Sequence, residues 1–326
     1  MLLNDYRFIN PSESFGLITE NVNTLRKIED ELRIIFNKYK ITETLVPSFE
    51  YLELYKQVYQ NFDEDKVFKY IGNDGKIIAL RWDYTIPIAK YYCLQNTSKE
   101  ARFSYFGKVF RNEKKYKGRN SEEYQAGIEL INIRPNADEL CLKILQETLN
   151  SFKLENLKLE LGSAKIFNRI CELTKDDQNI KEILSKKNIS EMKKYINDKK
   201  INNRLSIFLL KLPRLCGNIE MLNDIINEVS DKVILEALQE LKNIYEMIPN
   251  KDYIIFDLSM CPAMEYYTGV MFKVYSPNSP EALVCGGRYD SLYEKFGEKA
   301  EAIGMSYYFS NIIKAIESGV QIKWLE

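Results

Sequence analysis

Six apolar residues, Ile18, Val22, Leu25, Ile28, Leu32 and Ile35, recur three or four positions apart. That spacing predicts an amphipathic helix over about residues 16–39. Strand-like runs follow at 41–46, 67–71 and 76–80, and Asn73, Asp74 and Gly75 supply a turn between the last two, which predicts a hairpin. Pro87 lies early in the next helical stretch, where its missing N–H costs least. Residues 103–111 and 124–131 read as two further strands joined by a polar run, 112–122. Residues 140–149 then read as helix and 157–161 as strand.

From 164 to 250 the chain becomes rich in Lys, Asn, Ile and Leu with almost no strand signal, which predicts a helical insertion. Strand texture resumes at 253–258, 266–275 and 282–285, and Gly286-Gly287 is expected to end the last of these. Residues 289–296 read as helix, 302–309 as strand and 312–316 as the final helix. Strands joined by hairpins, with helices between, predict an α+β fold around an antiparallel sheet. One core spanning 1–326 carries the 164–250 insertion.

Composition narrows the chemistry. The apolar share is 45%, the charged share 29% and the net charge −1, so any anion site must come from local clustering. The six cysteines form no CxxC pair and read as buried, reduced thiols of a cytoplasmic protein. The first residues turn polar too soon for a signal peptide, and no apolar run approaches the roughly 20 residues a membrane helix needs. The chain contains no histidine. A serine–histidine triad, a histidine–zinc site and a papain-like pair are therefore excluded.

Four segments carry candidate chemistry. In Leu80-Arg81-Trp82-Asp83-Tyr84-Thr85, Asp83 could hold an ammonium, or the segment could be a plain capped helix start with a solvated ion pair. Residues 108–119 hold six Lys or Arg in twelve, a candidate anion site involving Arg111, Lys117 and Arg119, or else a solvated hairpin tip. In Glu123 to Leu130, Gln125, Gly127 and Glu129 share one strand face. Gly127 there leaves room for a small polar ligand, unless this is the wet face of the sheet. Glu265-Tyr266-Tyr267-Thr268-Gly269 and Gly286-Gly287-Arg288-Tyr289-Asp290 offer tyrosine hydroxyls and a double-glycine turn that could wall a pocket, or an aromatic core pair and an ordinary turn.

The order of these segments resembles the histidyl-tRNA synthetase family over nearly the whole chain. Residues 81–85 resemble that family's Arg-Pro-Glu-x-Thr segment, and 106–113 the class II signature with its ATP-binding arginine. Residues 123–130 are similar to the strand lining the histidine pocket. The segments around Tyr266-Tyr267 and Gly286-Gly287 are similar to the two that recognise histidine, and Ala302-Ile303-Gly304-Met305 to the last class II signature. The resemblance implies a class II antiparallel sheet flanked by helices, and dimerisation through the region of Val46 to Glu50. It also implies a histidine pocket made by Asp83, Thr85, Gln125, Glu129, Tyr266 and Tyr267. Asp83 and Glu129 would suit the ammonium and imidazole, although Asp83 is shorter than the family glutamate and Trp82 replaces its proline.

The departures fall elsewhere. Pro262 stands where the synthetases place a catalytic arginine, Asn311 where an arginine holds the ATP phosphates, and Glu123 where an aromatic residue stacks on adenine. Neither proline nor asparagine supplies positive charge to a developing phosphate anion. Glu326 falls where a synthetase continues into an anticodon-binding domain. This pattern resembles the regulatory subunits of ATP phosphoribosyltransferase. The resemblance implies a protein with no activity or cofactor of its own. It would assemble as a hetero-octamer with a short-form catalytic subunit in the first step of histidine biosynthesis, with histidine as effector and no nucleic acid. An active synthetase-like enzyme, an RNA-binding paralogue and a free-standing histidine sensor remain the alternatives.

Overall fold

The computed structural model describes residues 19–59, 62–95, 99–112, 120–201 and 203–322. The chain opens with α1 (Thr19–Lys38), which buries Leu25, Ile28, Leu32, Ile35 and Phe36 against the sheet and turns Lys27, Asp30 and Glu31 outward. Next come β1 (Thr42–Glu43), β2 (Phe49–Tyr51), α2 (Leu52–Val58), β3 (Lys69–Ile71) and β4 (Ile77–Leu80). They are followed by α3 (Thr85–Leu94), β5 (Ala101–Phe110), β6 (Glu122–Ile131), α4 (Ala137–Ser151) and β7 (Lys158–Ser163). The helical segment is α5 (Ala164–Thr174), α6 (Asp177–Ser185), α7 (Ile189–Asp198), α8 (Asn203–Lys211), the short β8 (Cys216–Gly217), α9 (Ile219–Glu228) and α10 (Lys232–Met247). The chain returns through β9 (Ile254–Asp257), β10 (Val270–Tyr275), β11 (Val284–Arg288), a 3-10 turn at Asp290–Phe296, β12 (Ala302–Tyr308) and α11 (Phe309–Ile322).

Nine strands form one sheet in the order β1-β5-β6-β12-β11-β10-β7-β9-β8. Pairing is antiparallel from β5 through β7, and parallel where β1 meets β5 and where β9 meets β7. A second sheet, β2-β4-β3, contains the expected hairpin. α1, α4 and α11 supply apolar side chains to one core with the large sheet, so its opposite face is left to other elements.

The helical segment shares that core: Ile166, Ile170, Leu209, Leu238 and Leu241 join the same buried cluster as Ile128 and Phe272, and β8 adds a strand pairing within it. Several other expectations need correcting. Tyr266 and Tyr267 lie in the turn before β10, not in the strand. Gly286 and Gly287 sit inside β11 rather than at a turn. A Cβ on Gly286 would meet the carbonyl of Gly304 at 2.6 Å, and one on Gly287 would meet the Tyr267 ring at 2.8 Å. The space over Gly127 is taken by the Tyr105 hydroxyl, which hydrogen-bonds Ser306 Oγ at 2.6 Å, so no ligand group is admitted there. Of the cysteines only Cys141 is buried, and Cys216 is exposed.

Candidate ligand-binding site

The site forms where the β4–α3 turn, β6, β12 and the 258–269 connection converge. The turn is held by Arg81. Its guanidinium donates to the carbonyls of Val46, Pro47 and Lys108 at 2.8–3.2 Å and stacks on Tyr84, so it is a buried clamp rather than half of a solvated ion pair. Two residues on, Asp83 is 5% exposed. Its Oδ1 accepts from the Ile86 amide at 2.9 Å, so it does cap the start of α3. Its Oδ2 accepts from the Tyr59 hydroxyl at 3.1 Å. Burial pushes the Asp83 carboxyl up, while the Ile86 amide, Tyr59 and Arg111 pull it down.

On β6, Gln125 and Glu129 are each 2% exposed, so this face is not wet. Thr85 Oγ1 donates to Glu129 Oε1 at 2.7 Å, and the Tyr289 hydroxyl donates to Oε2. The Gln125 Nε2 has no hydrogen-bond partner among the described residues. A buried donor left unpaired costs about 1–3 kcal/mol, which a ligand acceptor would recover.

All six predicted pocket residues, Asp83, Thr85, Gln125, Glu129, Tyr266 and Tyr267, line one cavity together with Arg111, Tyr289 and Tyr308. Lys117 and Arg119 of the basic run lie outside the described residues. The space enclosed by the residues that line the cavity is about 30 Å³, room for roughly two waters rather than an amino acid. An amino acid would fit here only if side chains of the lining moved. Burial opposes the Arg111 cation, but Tyr308, Asp83 and Glu123 outweigh it and hold the proton on. Arg111 Nε donates to the Trp82 carbonyl at 3.2 Å.

Sequence reasoning missed Tyr59, which ends α2 twenty-four residues before the aspartate it holds. Tyr289, in a segment whose tyrosine hydroxyl was expected to wall a pocket, lines the cavity and donates to Glu129. The spacing of Tyr55 and Tyr59, one helical turn apart, was the available signal for the first.

Burial raises the Glu129 carboxyl from 4.5 to about 8, against the lowering effect of Tyr289 and Thr85. The folded chain thus keeps a proton that the unfolded chain releases. The associated stability is complete below pH 4.5 and is lost as pH rises through about 8. Urea midpoints at pH 5.5 and 8.5 are expected to fall further in the wild type than in Glu129→Gln. The difference should reach up to about 3 kcal/mol, and parallel pH profiles would refute the assignment.

A family model described as histidyl-tRNA synthetase matches residues 16–312. The ATP phosphoribosyltransferase regulatory subunit of Lactococcus lactis subsp. cremoris MG1363 is 36% identical over 95% of this chain and 98% of its own length. The subunit of the same name from Bacillus thuringiensis Al Hakam is 30% identical over 94% of this chain and 76% of its own. The chain belongs to the ATP phosphoribosyltransferase regulatory subunit family, paralogous to the histidyl-tRNA synthetases. Two solved structures share the fold. One, from Bacillus halodurans and described as an ATP phosphoribosyltransferase regulatory subunit/histidyl-tRNA synthetase, aligns with a TM-score of 0.85 at 24% identity, covering 96% of this chain and 84% of its own. The histidyl-tRNA synthetase of Nostoc sp. PCC 7120 aligns at 0.76 and 18%, covering 96% and 76%.

The positions where the resemblance led one to expect departures from the synthetases make other contacts here. Asn311 Nδ2 donates to the Ala282 carbonyl at 2.9 Å. Glu123 accepts from Ser310 Oγ at 2.8 and 3.0 Å and from the Ser310 amide at 3.3 Å, capping the first turn of α11. Pro262 is buried in the 258–269 connection.

Proposed function

We propose that the chain is a regulatory subunit without catalytic activity of its own, which activates a short-form ATP phosphoribosyltransferase catalytic subunit and confers feedback inhibition by histidine. The carrying observation is a contrast between the residues lining the cavity and two positions outside its lining. Asp83, Glu129 and the unpaired Gln125 donor converge on it, whereas the nucleotide-facing positions Glu123 and Asn311 are engaged in internal hydrogen bonds. In this reading the ligand ammonium meets Asp83 and its imidazole meets Glu129. The free carboxylate meets Gln125 Nε2 and Arg111, with Lys117 and Arg119 as further anion contacts.

Self-association as a dimer is supported by the second sheet, whose strands expose Phe49, Tyr51, Tyr70, Ile71 and Ile77. Assembly with the catalytic subunit into a hetero-octamer, in the cytoplasm and without nucleic acid, completes the proposal. Among the described residues no helix is long and apolar enough to cross a membrane.

The test mixes the chain with a short-form catalytic subunit and follows phosphoribosyl-ATP formation. At least a tenfold stimulation is expected, reversed by histidine, with no histidine-dependent ATP–pyrophosphate exchange by the chain alone. Absence of stimulation refutes the role. Stimulation insensitive to histidine removes the sensor and keeps the activator.

A further inference from the structure

Among the described residues, the ionisable acids and bases that line the ligand cavity are Asp83, Glu129 and Arg111. Two carboxyls therefore face one cation. That cation is shared further, because Glu123, outside the lining, also faces Arg111. Glu123 has Lys314 near it and accepts from Ser310. A buried acid without a compensating charge keeps its proton rather than ionise. The surroundings of Asp83 and Glu129 decide which of the two does so.

Asp83 has the partners of an anion. Its Oδ1 accepts from the Ile86 amide at the start of α3, where the helix dipole favours negative charge, its Oδ2 accepts from Tyr59, and Arg111 pulls its carboxyl down. Glu129 has hydroxyls only: Thr85 donates to Oε1 and Tyr289 to Oε2. The titratable groups that face it are Asp83 on the β4–α3 turn, Tyr105 on β5, Tyr266 and Tyr267 on the 258–269 connection, Tyr289 and Tyr293 at the 3-10 turn, and Cys141 on α4. Burial pushes the five tyrosines and the thiol above their ordinary values, so they stay neutral. The charge that Glu129 meets is thus that of Asp83, which has the same sign. On the remaining side β12 lays Gly304 against Oε2.

The acid proton of Glu129 therefore belongs to the free cavity, and its carboxyl, pushed up to about 8, agrees with that placement. Both neighbouring hydroxyls donate to the carboxyl, so neither serves its proton as acceptor. A ligand with a basic nitrogen supplies that acceptor. An imidazole nitrogen has a pKa of about 6.5, near enough to the carboxyl for a single proton to serve both groups.

We propose that Glu129 carries a proton in the free chain and passes it to the ring nitrogen of histidine on binding, which makes Glu129 the residue that selects a basic ring. This rests on the histidine reading given above. The O–H bond of Glu129 breaks and the lone pair of the ring nitrogen forms the new N–H bond. The carboxylate left behind keeps the hydrogen bonds from Thr85 and Tyr289 and pairs with the imidazolium. Charge is balanced before and after. Asp83 offsets Arg111 in the free cavity, and in the complex the ligand's ammonium and carboxylate cancel while its ring offsets Glu129. A lysine or arginine side chain arrives with its own proton and forms an ion pair only by expelling that of Glu129. A phenyl or alkyl side chain leaves that proton without an acceptor on the ligand.

The test titrates the full chain with histidine by calorimetry at about pH 5.5, 7.2 and 8.5, each in two buffers of different ionisation heat, which counts the protons exchanged. Binding is expected to release about one proton at the lowest pH, where ring and carboxyl are both protonated beforehand, to exchange almost none at the middle one, and to take up about one at the highest. Affinity is expected to peak at the middle pH and to be about eightfold weaker at the lowest and about threefold weaker at the highest. Glu129→Gln is expected to lose the uptake and keep the release. The ligand's amino group contributes equally in both proteins and drops out of the difference. A proton taken up already at the middle pH, or an uptake at the highest pH that Glu129→Gln retains, overturns the protonated Glu129. Nitrogen-15 NMR of labelled histidine bound to the wild type reads the ring itself near neutrality. Two protonated ring nitrogens are expected, and a neutral bound ring overturns the transfer. Binding without this proton count removes the present proposal alone. Absence of histidine binding at all three pH values removes the sensor reading, and this proposal with it.

Discussion

Replacing Glu129 with alanine is expected to weaken histidine binding about a hundredfold, since hydrogen bonds to a charged group contribute about 1.5–3 kcal/mol. The carboxyl is buried in the cavity, and its two oxygens each accept from a hydroxyl, Thr85 on one side and Tyr289 on the other. Alanine removes the group that would pair with the imidazole and also strands both hydroxyls. Glu129→Gln keeps an acceptor for one of them and should cost closer to tenfold. Calorimetric titration of the isolated chain with histidine separates these values. If Glu129→Ala bound histidine as the wild type does, the amino acid would be held elsewhere in the assembly.

Gly304→Ala is expected to abolish histidine binding and to lower stability by about 3 kcal/mol. Gly304 lies directly opposite Glu129 in the β6–β12 register. A Cβ there would overlap Glu129 Oε2, sit 2.7 Å from the Ile128 carbonyl and meet the Glu129 carboxyl carbon at 2.9 Å. Either the two central strands part or the carboxylate swings out of the cavity. The cost should be smaller in a Glu129→Ala background, because one of the two obstructions is gone, whereas the Ile128 carbonyl remains. Urea denaturation of both single variants and the double variant measures that coupling. Strict additivity would mean that the strain lies in the backbone alone.

The sequence was most legible where the period of the chain is local. The α1 stripe, the β3–β4 hairpin and the long β5–β6 pair fall close to where spacing puts them, because each element's pattern is set by the one face it buries. Tyr266 and Tyr267 were misplaced because tyrosines favour strands and run without a break into Val270 to Tyr275, yet the chain is still turning when it passes them. Gly286-Gly287 looked like turn punctuation, but its purpose is close packing within a strand, visible only once Phe272 and Tyr267 are laid over it.

The six pocket residues were legible as a set, through the ordered motifs rather than through any one of them. What the motifs could not convey is cover. Whether Gln125 and Glu129 face water or a cavity depends on the 258–269 connection and α3, more than a hundred and about forty residues away respectively. The contact of Tyr59 with Asp83 belongs to the same class, since it is made by packing between distant segments and leaves no pattern in either one alone.

The Glu123 cap has a bearing on what this chain can become. An aromatic residue restored at that position would not by itself rebuild a nucleotide platform. It would also strip the first turn of α11 of its acceptor and deprive Arg111 of a nearby counter-charge. Asn311, tied to the Ala282 carbonyl, would have to be released as well. Each of these substitutions taken singly removes contacts that the folded chain now uses, so each begins with a cost in stability whatever it adds at the site.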